Sequence, residues 1–182
     1  MEKAQKKAKK ELREEIELEG AEASVAGKII TVKGPKGELT RKIIDPRVKV
    51  EVADGKIKFF TAKAGNKERK SIGSLKAHVK NMVKGTKEGH TYKLKICSSH
   101  FPMTVTATEK ELSVKNFLGE KVPRKLGLHS SVKVKVEGSE LIVESTDKEA
   151  AGRCAAAIER LTKRVNYDRR IFQDGIYITE KP

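Results

Sequence analysis

An internal repeat restricts this chain more than any other feature of its sequence, because it calls for two copies of one supersecondary unit. Ile30-Thr31-Val32-Lys33-Gly34-Pro35-Lys36-Gly37-Glu38 reads like Leu112-Ser113-Val114-Lys115-Asn116-Phe117-Leu118-Gly119-Glu120. Arg41-Lys42-Ile43 then matches Arg124-Lys125-Leu126, and Val48-Lys49-Val50-Glu51-Val52 matches Val132-Lys133-Val134-Lys135-Val136. Lys56-Ile57-Lys58-Phe59 matches Glu140-Leu141-Ile142-Val143. The blocks keep one order in both halves. A length of 182 residues suits one large domain or two small ones, and the repeat selects two.

Each half reads as the same plan. A first strand pair turns at Gly34-Pro35-Lys36-Gly37 or at Asn116-Phe117-Leu118-Gly119. In the second pair Val48, Val50 and Val52 alternate with Lys49 and Glu51, the period-two pattern of a half-buried strand. Asp54-Gly55 and Glu137-Gly138-Ser139 supply the hairpin turns. A helix closes each unit. Ile72, Leu75, Val79 and Met82 recur at helical spacing in the first, with Gly85 as the stop and Lys84–Gly89 as the connection. Ala151, Cys154, Ile158 and Leu161 do so in the second, with Thr146 and Glu149 spaced like a capping box. The expected fold class is α+β: two tandem copies of an antiparallel sheet covered by one helix, arisen as an internal duplication. The expected divisions are a charged, helix-prone N-terminal extension over residues 1–16, a first unit over 17–85, and a second unit over 86–182 that ends in a basic tail.

Charge narrows the function. There are 40 Lys and Arg against 25 Asp and Glu, a formal net charge of +15. Such an excess opposes compaction and calls for a polyanionic partner. Nucleic acid is the commonest, since each neutralised phosphate releases a counterion. No stretch approaches the roughly 18 apolar residues of a membrane span, and the first twenty residues lack the apolar run of a signal peptide. The expectation is a soluble, intracellular protein facing nucleic acid. Cys97 and Cys154 belong to no CxxC pair, so both read as reduced thiols in or near the core.

No catalytic or cofactor motif stands out. Gly34-Pro35-Lys36-Gly37 lacks the spacing of a phosphate loop and lies between strands, where a hairpin turn belongs. His78, His90, His100 and His129 have no metal-ligand spacing and read as surface or loop residues. Asp and Glu are interleaved with Lys in the manner of a solvated surface. The reading is therefore not an enzyme, with no cofactor, no metal and no small-molecule substrate.

Two segments suit RNA better. The polar loop Ser98-Ser99-His100-Phe101-Pro102 ends in an aromatic ring that can stack on unpaired bases. Arg160, Lys163, Arg164, Arg169 and Arg170 cluster with Tyr167, and Phe172 and Tyr177 follow. Arg binds phosphate in a fork and stacks on bases, and rings offer stacking faces. A merely solubilising tail would explain the charge but not Ile171-Phe172 and Asp174-Gly175-Ile176-Tyr177-Ile178, which read as a short ordered element holding the arginines.

Several ordered motifs resemble a known family. They are Ile30 to Leu39, Asn81-Met82-Val83-Lys84-Gly85 with Glu88-Gly89, Tyr92-Lys93-Leu94-Lys95, and Ser99-His100-Phe101-Pro102-Met103. Asn116-Phe117-Leu118-Gly119-Glu120-Lys121 and Asp168 to Ile178 complete the set. Over about residues 17–181 the chain resembles the large-subunit ribosomal protein six family, numbered nine in eukaryotes, in its archaeal and eukaryotic form. The basic Tyr-Lys-Gly-Lys-Gly ending of the bacterial form is absent.

The resemblance implies a structural constituent of the large ribosomal subunit, in the cytoplasm. It implies binding to large-subunit rRNA near the sarcin–ricin loop and stalk base, beside neighbouring ribosomal proteins and the docking region of translation factors, with the second unit carrying most of the RNA contact. Carried onto this sequence, that points to His100, Lys115, Asn116, Lys121, Arg124, Lys125, Arg164, Arg169, Arg170 and Gln173. The alternative that charge leaves open is a non-ribosomal RNA-binding regulatory protein.

Overall fold

The computed structural model describes residues 12–18, 20–53, 55–62, 65–168 and 170–182. The chain divides into two compact units, residues 1–87 and 88–182. The first comprises β1 (Leu12–Glu17), β2 (Glu22–Ala26), β3 (Ile29–Gly34), β4 (Gly37–Lys42), β5 (Lys49–Ala53), β6 (Lys56–Thr61) and α1 (Asn66–Lys87). The second comprises β7 (His90–Cys97), β8 (Thr104–Ala107), β9 (Glu111–Lys115), β10 (Arg124–Gly127), β11 (Val132–Glu137), β12 (Glu140–Ser145), α2 (Lys148–Leu161) and β13 (Gly175–Glu180).

The units repeat one topology. In the first, antiparallel sheets run in the orders β1-β6-β5 and β2-β3-β4; in the second they run β11-β12-β7-β13 and β10-β9-β8. Strand by strand, β1 through β6 correspond to β7 through β12, and α1 to α2. The four repeated sequence blocks fall on corresponding strands, so the fold is a duplicated α+β unit. Among the described residues each unit carries two small sheets, where the sequence pattern suggests one. The second unit also has an extra strand, β13, on the outer edge of β7.

Alternation explains the cores. In β6, Ile57 and Phe59 are fully buried between Lys56, Lys58 and Phe60. They meet Ile30 and Val32 of β3 and Ile72, Leu75, Val79 and Met82 of α1 in one cluster. Full burial of each such side chain stabilises by about 1.5–3 kcal/mol. The second core gathers Leu94, Leu112, Val114, Phe117, Leu141, Val143, Ile158 and Ile176. Ala151 and Ala155 are buried on the core face of α2, and Gly152 lets Tyr92 of β7 approach, where a Cβ would lie 2.8 Å from its hydroxyl.

Several local expectations give way. Gly85 does not stop α1: it is buried within the helix, which runs on through the expected connection to Lys87. The backbone reverses instead at Gly89, whose φ of +82° suits glycine. The N-cap of α2 is Asp147, not Thr146; its carboxylate accepts from the Glu149 amide. His90 opens β7 and is buried, and His78 lies half-buried on α1 at 3.1 Å from Arg41.

Part of the expected charged extension is strand β1, paired with β6 along its whole length. Leu12 and Ile16 pack against the first core on one face, and Arg13, Glu15 and Glu17 are turned outward. The high charge of this segment masks that alternation. Residues 1–11 of the extension, and Asp54 of the first hairpin turn, lie outside the described residues.

Candidate nucleic-acid interface

Three connections of the second unit converge: residues 98–103 between β7 and β8, 116–123 between β9 and β10, and 162–174 between α2 and β13. The third is anchored at both ends. Thr162, buried beyond the last turn of α2, accepts through Oγ1 from the Ile176 amide at 2.9 Å, and β13 is annealed to β7. A loop fixed in this way holds its side chains in place without a core of its own.

Asp174 organises the convergence. Its side chain is 1% exposed. It accepts from the Ser99 amide (2.6 Å), the His100 amide (3.1 Å), Ser99 Oγ (3.1 Å) and His100 Nδ1 (2.6 Å). Burial by itself would raise this carboxyl, but hydrogen bonds from His100 and then Ser99 prevail and hold it at about 2. A carboxylate only accepts, so Nδ1 of His100 carries a proton. Ser99, His100 and Asp174 are the residue types of a hydrolytic triad, but Ser99 Oγ and Asp174 Oδ2 both approach Nδ1, at 3.1 and 2.6 Å. A catalytic histidine joins its carboxylate and its nucleophile through different ring nitrogens. This constellation positions a loop.

Rings and guanidinium groups continue from it. His100 stacks on Phe172, with centroids 5.0 Å apart, and Tyr167 meets Phe172 edge-on at 4.9 Å. The Arg164 guanidinium lies 5.0 Å from the Tyr167 centroid and 3.3 Å from Glu120. Glu120 also accepts a two-pronged contact from Arg124 (2.8 and 2.7 Å), whose hydrogen bonds hold the carboxyl below its ordinary range. Arg124 also lies 4.4 Å from the Phe117 centroid and donates to the carbonyl of Leu161.

The second connection is held in an unusual backbone. Asn116, Leu118 and Gly119 have φ of 57°, 47° and 76° around a single 3-10 turn, Phe117–Gly119. The left-handed region costs a leucine about 1–2 kcal/mol. Burial of Phe117 and the bond from Asn116 Nδ2 to the Pro102 carbonyl (3.0 Å) keep the turn in place.

The sequence-selected residues therefore divide. His100, Arg124 and Arg164 are joined into one network, and Asn116 ties the 116–123 connection to Pro102 beside it. Lys115 and Lys121 are exposed and make no salt bridge among the described residues, which leaves them open to phosphate. Lys125 is exposed and lies 2.9 Å from Glu111. Arg170, 90% exposed, is held by Asp168 at 3.0 Å and lowers that carboxyl. Gln173 is exposed at 3.4 Å from the Arg170 carbonyl. Arg169 lies outside the described residues. Sequence reasoning missed Asp174, whose partners Ser99 and His100 lie in another connection, and Glu120, which joins nearby Arg124 to distant Arg164. No local pattern announces such pairs.

These features define a class: a duplicated α+β protein whose second unit presents a rigid arginine–aromatic surface. The comparisons give the family. The model for ribosomal protein L6 matches residues 19–89 and 101–175, one stretch in each unit. The large ribosomal subunit protein uL6 of Desulfurococcus amylolyticus is 43% identical over 172 residues, covering 92% of this chain and 94% of that protein. That of Methanosarcina mazei is 42% identical over 174 residues, covering 94% and 98%. That of Natronomonas pharaonis is 40% identical over 172 residues, covering 94% and 97%. The chain belongs to the ribosomal protein L6 family, in its archaeal form, and is a structural protein and not an enzyme.

Proposed function

We propose that this protein is a structural constituent of the large ribosomal subunit in the cytoplasm, and that its second unit binds large-subunit rRNA near the sarcin–ricin loop and stalk base. There it supports the region where translation factors dock, beside neighbouring ribosomal proteins. Lys115, Lys121, Lys125, Arg169 and Arg170 neutralise phosphates. His100, Asn116, Arg164 and Gln173 meet folded or splayed nucleotides, since the deep major groove of A-form RNA excludes side chains. Arg124 serves the interface from beneath, by holding the 116–123 connection against α2.

The observation that carries this reading is the tying together of three connections, two of them through the Asp174 carboxylate and the third through Glu120 and Asn116, into one surface of cations and rings. Rigid placement suits a role in fixing RNA segments that repel one another. Chemical footprinting of large-subunit rRNA with and without the protein tests it. Protection is expected at the sarcin–ricin loop and the adjoining stalk-base helices. Protection confined to other regions would reject the location, and no protection anywhere would reject rRNA binding.

A further inference from the structure

A cleft of about 490 Å³ lies in the second unit between the C-terminal end of α2 and the 162–174 connection. Arg160, Lys163 and Arg164 line it with cations, and Tyr167, Phe172 and Tyr177 line it with rings. We propose that this cleft takes one unpaired nucleotide of RNA, its base swung out of its stack onto a tyrosine and its phosphate met by the cations at the end of α2. The inference rests on the rRNA reading above and adds the place on that surface where a single splayed nucleotide is held.

The size fits a compact ligand, since clefts that enclose small molecules run from about 300 to 1,000 Å³. The chemistry fits a nucleotide better than a purely apolar or purely anionic group, because both rings and cationic groups line the cleft. Tyr177 on β13 is 38% exposed and takes part in no ring pair among the described residues; the end of its ring lies over Gly175, and its exposed part is left for stacking. Arg164 already lies over the Tyr167 ring as a cation–π pair, which holds the guanidinium in place at the cleft.

Arg164 Nε is buried and meets no acceptor. That atom is shut off from solvent, so a phosphate would meet the rest of the guanidinium, in a side chain that is 36% exposed. The two carboxylates of the lining do not oppose a phosphate freely. Asp174 is saturated by His100 and Ser99, and Glu159 accepts from the Ile178 amide at 3.4 Å.

Ultraviolet cross-linking of the full chain bound to large-subunit rRNA, followed by mass spectrometry of its peptides, tests the proposal. A mononucleotide adduct on Tyr167 or Tyr177 is expected. In parallel, Tyr177→Leu should weaken rRNA binding by about tenfold while leaving its salt dependence unchanged, because stacking releases no counterion. Tyr177→Phe, which keeps the ring, should bind like the parent. Adducts found only on other peptides, together with undiminished binding by Tyr177→Leu, would overturn the cleft proposal and leave the rRNA reading standing. A parent chain that fails to bind large-subunit rRNA would overturn both.

Discussion

Asp174 and His100 are 74 residues apart in sequence and 2.6 Å apart in space, joined Oδ2 to Nδ1. That contact fastens the β7–β8 connection to the base of the tail and makes one surface of two loops. Together with the bonds from Ser99 and the His100 amide, it holds the Asp174 carboxyl low. The carboxyl lies at about 2 when folded, below its ordinary 3.8, so its contribution is complete above the ordinary value and is lost as pH falls through 3.8 toward 2. The difference corresponds to about 2 kcal/mol. Asp174→Asn should therefore unfold more easily than the parent at pH 7, by about 2–3 kcal/mol in urea. The gap should narrow steadily between pH 5 and pH 2. A gap that stays constant over that range would mean that the charge of Asp174 does not matter.

Arg124 should behave as a structural residue. Its guanidinium is engaged by Glu120, by the Phe117 ring and by the Leu161 carbonyl at once. Arg124→Ala should destabilise the second unit by about 2–3 kcal/mol, through the lost charge-assisted bonds and the carboxylate left behind. Arg124→Lys should recover little, since an ammonium cannot reproduce the two-pronged contact. Hydrogen exchange of the 116–123 peptide measures this directly. Unchanged protection in Arg124→Ala would return Arg124 to the list of direct RNA contacts.

Gly34 is fixed by close approach. A Cβ there would lie 2.7 Å from Thr86 Cβ and 2.8 Å from the Thr86 carbonyl. That carbonyl accepts from the Lys36 amide at 2.9 Å, so it cannot withdraw without losing the bond that docks the β3–β4 hairpin on the end of α1. Gly34→Ala should cost the first unit about 1–3 kcal/mol. The second unit should keep its exchange protection. Equal loss in both would show that the hairpin contact is not where the cost arises.

How much of this was legible depended on range. The repeated blocks anticipated β3 to β6 and β9 to β12, because alternation of Val, Ile and Leu with Lys and Glu is written locally. Strand β1 reads as helix-prone in the sequence because charge obscures its two core residues, Leu12 and Ile16. In the interface, the arginines and rings of the tail were visible in composition. Which of them are tied down was not, because Glu120 reaches Arg164 and Asp174 reaches His100 only after the strands have folded.

Charge density alone does not select the second unit. Residues 1–87 hold 23 Lys and Arg against 12 Asp and Glu, and residues 88–182 hold 17 against 13. What distinguishes the second unit is the arrangement of its cations around rings on three converging connections. The claim that this arrangement binds the RNA is tested most directly by the salt dependence of rRNA affinity. In a log–log plot each phosphate contact contributes somewhat under 1 to the slope. Changing Lys121 and Arg170 together to Ala should flatten the slope by about 1.5 and weaken binding. Changing Lys36 and Lys33 of the first-unit hairpin to Ala should leave the slope unchanged. The opposite pattern, with the slope lost from the first unit and kept in the second, would contradict the account.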